Sequence, residues 1–230
     1  FLGLDPYRVE RSTFSLLMYP EISLTRILKP FGSSLALLPG SVDLANASIK
    51  LVQESHPLDR LRAVLHQGQV VFDHILIDTP PGLNVLTVAG LLAADEVLIP
   101  THCNHSAMLG IRAVQDVVKR IREHMGNPAL KVSGILPTFY DSKAVYADQT
   151  VSELRTLLPG IVFKTAVPYD TNAADAPSKG QAVIDYAPHS PAAAAYRALA
   201  DEHYANFRDR YGELLNVVIS TSDWTEFDDD

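Results

Sequence analysis

The sequence predicts an α/β fold with a predominantly parallel sheet and helices on both of its faces. Three observations carry that prediction. Short apolar, β-branched runs recur without polar alternation, as strands buried on both faces require. Stretches with helical periodicity separate them, so strands and helices alternate along the chain. The 230 residues are 47% hydrophobic and 20% charged, enough apolar material for a sizeable core.

In chain order, the first strand-like run is Leu35–Leu38, which ends at Pro39. Val42–His66 then reads as helical, and His74–Ile77 is a second apolar run ending at Asp78. Leu83–Ala93 is helical, Glu96–Ile99 is a strand closed by Pro100, and His105–Met125 is a helix. In that helix Val114, Val117, Val118, Ile121 and Met125 keep one apolar face, with Arg112, Lys119, Arg120 and Arg122 around it. Val132–Leu136 ends at Pro137, Lys143–Leu158 is helical, and Ile161–Val167 ends at Pro168. Pro191 stands at a first-turn position for a last helix over Pro191–Tyr211. Strand–helix alternation of this kind implies right-handed βαβ units. The organisation expected is one domain over 1–211 and an acidic tail over 212–230, since Asp223–Asp230 holds five acids and two aromatics.

Composition narrows the function classes. No uninterrupted apolar run approaches the roughly 20 residues of a membrane helix, and the acidic end disfavours an amphipathic membrane anchor. One cysteine, Cys103, leaves no intramolecular disulfide framework and fits a reducing cytoplasm. The net charge of −8 is uneven: Lys164–Asp230 holds five basic and twelve acidic residues, a local balance of −7. Such a surface repels phosphate backbones. Phe1–Pro6 reads like the interior of a longer chain, so a fragment or trimmed form is expected.

Phe72–Gly82, FDHILIDTPPG, carries the most chemistry. A buried strand would deliver Asp78 to its carboxyl end, where ligands bind in open α/β sheets. A carboxylate there can hold Mg²⁺, directly or through water, beside a nucleotide's phosphates. Pro80 and Pro81 hold Thr79 and Pro80 extended, and Thr79-Pro80-Pro81-Gly82 can respond to the presence of a γ-phosphate. A strand-end Asp can equally serve as a cap for the next helix.

The undecapeptide resembles the Walker B and switch II region of the ParA/Soj partition ATPases, relatives of the septum-positioning MinD proteins. Leu37–Leu44 (LLPGSVDL), Ala93–Pro100 (AADEVLIP), Ile135–Asp141 (ILPTFYD) and Val162–Ser178 (VFKTAVPYDTNAADAPS) resemble further family segments, in order and with sensible spacing. The likeness runs from about Gly3 to Ala200. It implies a P-loop NTPase architecture of the MinD/ParA type lacking its first strands and phosphate loop. It also implies ATP and Mg²⁺ as cofactors, an ATP-dependent homodimer, and a ParB-like or cargo-adaptor partner. Asp78 becomes the catalytic and metal residue, and Thr79–Gly82 the switch. Pro168, Tyr169 and Asp170 correspond to the loop that frames the adenine, although Asp170 stands where the family usually has Asn.

No G-x-x-x-x-G-K-[ST] occurs in the chain, so clustered backbone N–H groups and the phosphate-neutralising lysine are missing. The chain as given is therefore expected neither to bind ATP tightly nor to hydrolyse it. Nonspecific DNA binding is expected to be weakened, because Tyr169, Asn172, His189 and Pro191 stand where the family often has Arg. The basic residues of His105–Met125 can compensate or form a solvated helix face. His102, Cys103 and His105 offer three candidate metal ligands but no suitably spaced fourth. The function expected is ATP-driven partition or positioning of DNA or a large protein cargo. The alternative is a non-catalytic, degenerate interaction module. An amidotransferase-type synthetase, a third reading, would need a second catalytic domain.

Overall fold

The computed structural model describes residues 3–19, 21–32, 34–51, 58–68, 72–104 and 106–211. The acidic tail expected over 212–230 lies outside the described residues, as does His105. The chain forms two compact units: one is built on residues from Asp95 onward together with Gly3, the other on 4–94.

The C-terminal unit holds the parallel sheet. Strand β3 (Glu96–His102) pairs in parallel with β4 (Lys131–Thr138), Ile99 opposite Ile135 and His102 opposite Thr138. The segment 161–168 runs along the other side of β4, bridging in parallel at Ile135–Val162 and Tyr140–Pro168. Ile161–Val167 was expected as one unbroken strand, yet it leaves the ladder in its middle. Pro137 explains this, because it has no N–H to offer on that side of β4. The ladder resumes where Val167 N–H donates to the Pro137 carbonyl at 2.9 Å. Between the two bridges, the N–H groups of Lys164 and Thr165 turn to the Glu202 carboxylate instead, at 2.7 and 2.9 Å.

Successive side chains of a strand point to opposite faces, and helices cover both. Ile99 and Ile135 pack on Ile111 of α5 (Ala107–His124) and Leu154 of α6 (Val145–Leu157). Their neighbours Leu98 and Leu136 face the other way, beside Phe163 and Val167, against Ala195 and Leu199 of α9 (Pro191–Tyr211). Two short helices, α7 (Thr171–Asp175) and α8 (Val183–Tyr186), lead into α9. The α/β class with helices on both sheet faces is thus present, and α9 keeps the bounds expected for it.

The N-terminal unit is mostly helical. Leu17 of α1 (Thr13–Met18), Ala47 and Leu51 of α2 (Leu44–Leu51), and Leu61 and Leu65 of α3 (Asp59–Gly68) form its main core. Val85, Leu86 and Ala93 of α4 (Val85–Ala93) pack against that core. Val42–His66, expected as helical, contains α2 and α3, with 52–57 outside the described residues. Leu35–Leu38 was expected in the parallel sheet. Instead β2 (Leu35–Leu37) pairs antiparallel with β1 (Lys29–Phe31), the geometry a short connection through Gly32 at φ +68° allows.

Candidate functional site

His74–Ile77, expected as a strand buried on both faces, is neither strand nor doubly buried. It runs extended, and no described strand pairs with it. Only one side is covered. The Ile77 and Thr79 methyls pack on the bare Cα of Gly90 in α4, where an added Cβ would stand 3.4 and 3.2 Å from them. Period-two alternation turns Leu76 and Asp78 to the opposite side. Leu76 is 92% exposed, and the Asp78 carboxylate is exposed too. Of residues 74–79 only Ile77 is half-buried.

The Pro80–Gly82 loop is tied down from behind. Thr87, in the first turn of α4, donates its hydroxyl to the Gly82 carbonyl at 2.8 Å, with the Pro80 carbonyl at 3.3 Å. Asn84 caps the same helix, its Oδ1 accepting from Leu86 and Thr87 N–H at 2.9 and 3.1 Å. Gly82 sits at φ +87°, in the region open to glycine. Asp78 therefore emerges from an extended stem just before an anchored Pro-Pro-Gly turn.

In the C-terminal unit the sheet's carboxyl edge carries Pro168, Tyr169 and Asp170. Pro168 bridges Tyr140, and Tyr169 N–H donates to the Tyr140 carbonyl at 3.1 Å, so both extend the edge. Asp170 is engaged elsewhere. Its Oδ1 accepts from Asn172 N–H and Nδ2, each at 2.9 Å, which caps α7. Its Oδ2 accepts from Ala192 N–H at 3.0 Å in the first turn of α9. The Ala192 bond leads the causes that hold this carboxyl below its ordinary range. Asn172 is thus turned inward, and Pro191 opens α9.

Sequence reading passed over Phe139. It lies one residue past β4 at φ +52°, the left-handed region, a conformation that costs a non-glycine residue about 1–3 kcal/mol. Its ring stacks on His102 with centroids 4.1 Å apart and planes 23° apart. It faces Tyr169 at 6.3 Å and 39°. Nearby, Tyr140 donates its hydroxyl to Asp148, and Cys103 is buried with Ala147 and Val151, its thiol pushed up by burial. Among the described residues no group of three His, Cys, Asp or Glu side chains is placed to hold a metal. An exposed carboxylate such as that of Asp78 fits Mg²⁺, which keeps most of its water or phosphate oxygens and needs only one or two protein carboxylates. Arg112, Lys119, Arg120 and Arg122 of α5 are exposed.

A family model described as an AAA domain matches residues 2–132. An uncharacterized protein of Mycobacterium tuberculosis (strain H37Rv) is 32% identical over 212 residues. That match takes in 92% of this chain and 65% of the relative, so the chain spans about two thirds of that protein's length. The chromosome-partitioning ATPase Soj of Thermus thermophilus is 33% identical over 202 residues, covering 88% of this chain and 78% of Soj. Among solved structures, a cobyrinic acid a,c-diamide synthase from Mycobacterium smegmatis with bound ADP and magnesium superposes with a TM-score of 0.75. The identity there is 26%, over 92% of this chain and 78% of that one.

Proposed function

The chain belongs to the ParA/Soj-type family of partition ATPases, and on that premise we propose that it works in ATP-dependent partition or positioning of DNA or a large protein cargo. The observation that carries this is the exposed Asp78 carboxylate at the end of its extended stem, just ahead of the anchored Pro80–Gly82 turn. No hydrogen bond or ion pair engages that carboxylate among the described residues. A structural cap would be so engaged. The similar synthase was crystallised with ADP and magnesium, which supports ATP and Mg²⁺ here.

Bound Mg²⁺–ATP would supply the in-line phosphoryl chemistry and the charge on the phosphate oxygens. Asp78 would hold the metal's water shell. Thr79, Pro80, Pro81 and Gly82 would feel the γ-phosphate. Thr87 limits how far that turn moves, so a change at the phosphate passes into α4 rather than dissipating in a loose loop. An ATP-dependent homodimer and a ParB-like or cargo-adaptor partner belong to the same reading. DNA contact would be weak, given the local acidity of the C-terminal third and the inward-turned Asn172. No described helix is long and apolar enough to cross a membrane, and a cytoplasmic protein is proposed. The 230-residue chain, without a G-x-x-x-x-G-K-[ST] motif, is proposed to be inactive by itself.

The test is phosphate release from Mg²⁺–ATP by the protein together with any residues its gene encodes ahead of Phe1. Asp78→Ala should abolish turnover while leaving stability within about 0.5 kcal/mol, as exposed positions without partners do. Turnover by Asp78→Ala at the unsubstituted rate would remove Asp78 from the mechanism. An extended protein that carries the loop and shows no turnover would favour the degenerate interaction module.

A further inference from the structure

The segment 161–168 has a strand neighbour on one side only. Ile161 and Phe163 face β4 through Ile135, while Val167 and Tyr169 face it through Pro137 and Tyr140. Alternation along an extended chain turns Val162, Lys164 and Ala166 the other way. Among the described residues no strand lies there. An unpaired strand side is a template on which another chain can build. There is room for one, because a cavity of about 620 Å³ lies between α6 and this side, with Arg155, Lys164 and Ala166 in its wall. The backbone N–H and C=O groups of Val162 and Ala166 carry no hydrogen bond among the described residues.

The rung between them is closed. Glu202 of α9 accepts the Lys164 N–H at 2.7 Å, and Arg155 of α6 donates Nη2 to the Lys164 carbonyl at 3.0 Å. The two side chains reach residue 164 from helices on opposite faces of the sheet. Those helices are already attached by apolar residues, Leu154 on one face and Ala195 and Leu199 on the other. Lys164 is itself exposed. Every copy of the chain carries the same outer side, and a two-fold axis through residue 164 would set Val162 of one copy opposite Ala166 of the next. Lys164 would then stand opposite its own copy, and like charges directly opposite destabilise a strand pair. We propose that Glu202, Arg155 and Lys164 together guard a self-pairing surface: with the guards removed, 161–168 docks antiparallel on the same segment of a second copy.

Sedimentation velocity of the protein used for the turnover test, run without nucleotide, decides it. Arg155→Ala combined with Glu202→Ala frees both backbone groups of residue 164. That variant should self-associate about tenfold more tightly than the parent, the worth of the backbone bonds that a rung of two 164 residues exchanges. Adding Ala166→Pro removes an outward N–H, a loss that an edge position tolerates, and should return association to the parent's level. Oxidative trapping locates the contact. Lys164→Cys in the opened variant should cross-link faster than Lys164→Cys alone, since a hydrogen-bonded antiparallel pair holds its Cα atoms about 5.5 Å apart, within disulfide reach. Cys103 is buried and stays out of that reaction. If the double variant does not fold, Arg155→Ala with Lys164→Ser, both at exposed positions, should still associate more tightly than the parent. An opened, folded variant that sediments like the parent would overturn the proposal. Association that survives Ala166→Pro would overturn it too, because it would then come from another surface. Equal cross-linking with and without Arg155 and Glu202 would show that those side chains guard nothing.

Discussion

The carboxylate of Asp170 joins the starts of two helices: its Oδ2 accepts the N–H of Ala192 at 3.0 Å, while its Oδ1 accepts from Asn172. One side chain thus satisfies orphan donors of both α7 and α9, which follow each other around the sheet's carboxyl edge. It also fixes the exit of the chain from Pro168 and Tyr169, and so the position of the Tyr169 ring. Replacing Asp170 by Asn leaves one oxygen where two are used. Asp170→Asn should therefore lose one of the two caps, about 1 kcal/mol, by urea denaturation at neutral pH. An unchanged midpoint would mean that the two contacts do not act together.

Glu202 makes the equivalent clamp in the middle of the sheet. Burial pushes its carboxyl up, but the N–H groups of Lys164 and Thr165 outweigh that and hold it below its ordinary range. A carboxyl lowered in the folded state contributes stability at pH values above its unfolded pKa, roughly 4, and that contribution is lost as pH falls through the folded value. Glu202 and Asp170 are both lowered. The chain should accordingly lose stability as pH falls below the ordinary carboxylate range. Glu202→Gln should cost about 1 kcal/mol at pH 7 and make that acid loss shallower. Equal acid sensitivity in the variant and the parent would assign the effect to other groups.

Gly134 in β4 lies under the Phe163 ring, where an added Cβ would stand 2.3 Å from Cε2. Phe163 is buried and cannot swing clear. Gly134→Ala should destabilise by about 1–3 kcal/mol through overpacking. Combining it with Phe163→Leu should recover part of the loss, a coupling that a double-mutant cycle measures. Additive losses would show that ring and glycine are energetically independent.

Much of this was legible along the chain. The parallel pair β3–β4, the helices α4, α5, α6 and α9, and the ParA/Soj family membership follow from local signals: unalternated apolar runs, helical periodicity, Pro191 at a helix start, and several family segments in order. His74–Ile77 misled, because its apolar composition says that it wants burial on two faces but not whether a neighbour supplies the second. Phe139 gives no signal along the chain, since a positive φ leaves no mark on a non-glycine residue.

Sequence alone determined which residues are apolar, how they repeat, and where Asp78 falls relative to its Pro-Pro-Gly turn. Those are properties of consecutive residues, set by the fixed repeats of helix and strand. Only the tertiary structure decided that Asp170 and Glu202 spend their charge on backbone N–H groups 22 and 37 or 38 residues away. It alone set the rings of His102, Phe139 and Tyr169 in one row. Contacts between distant residues depend on how the elements pack, and packing is a property of the folded whole.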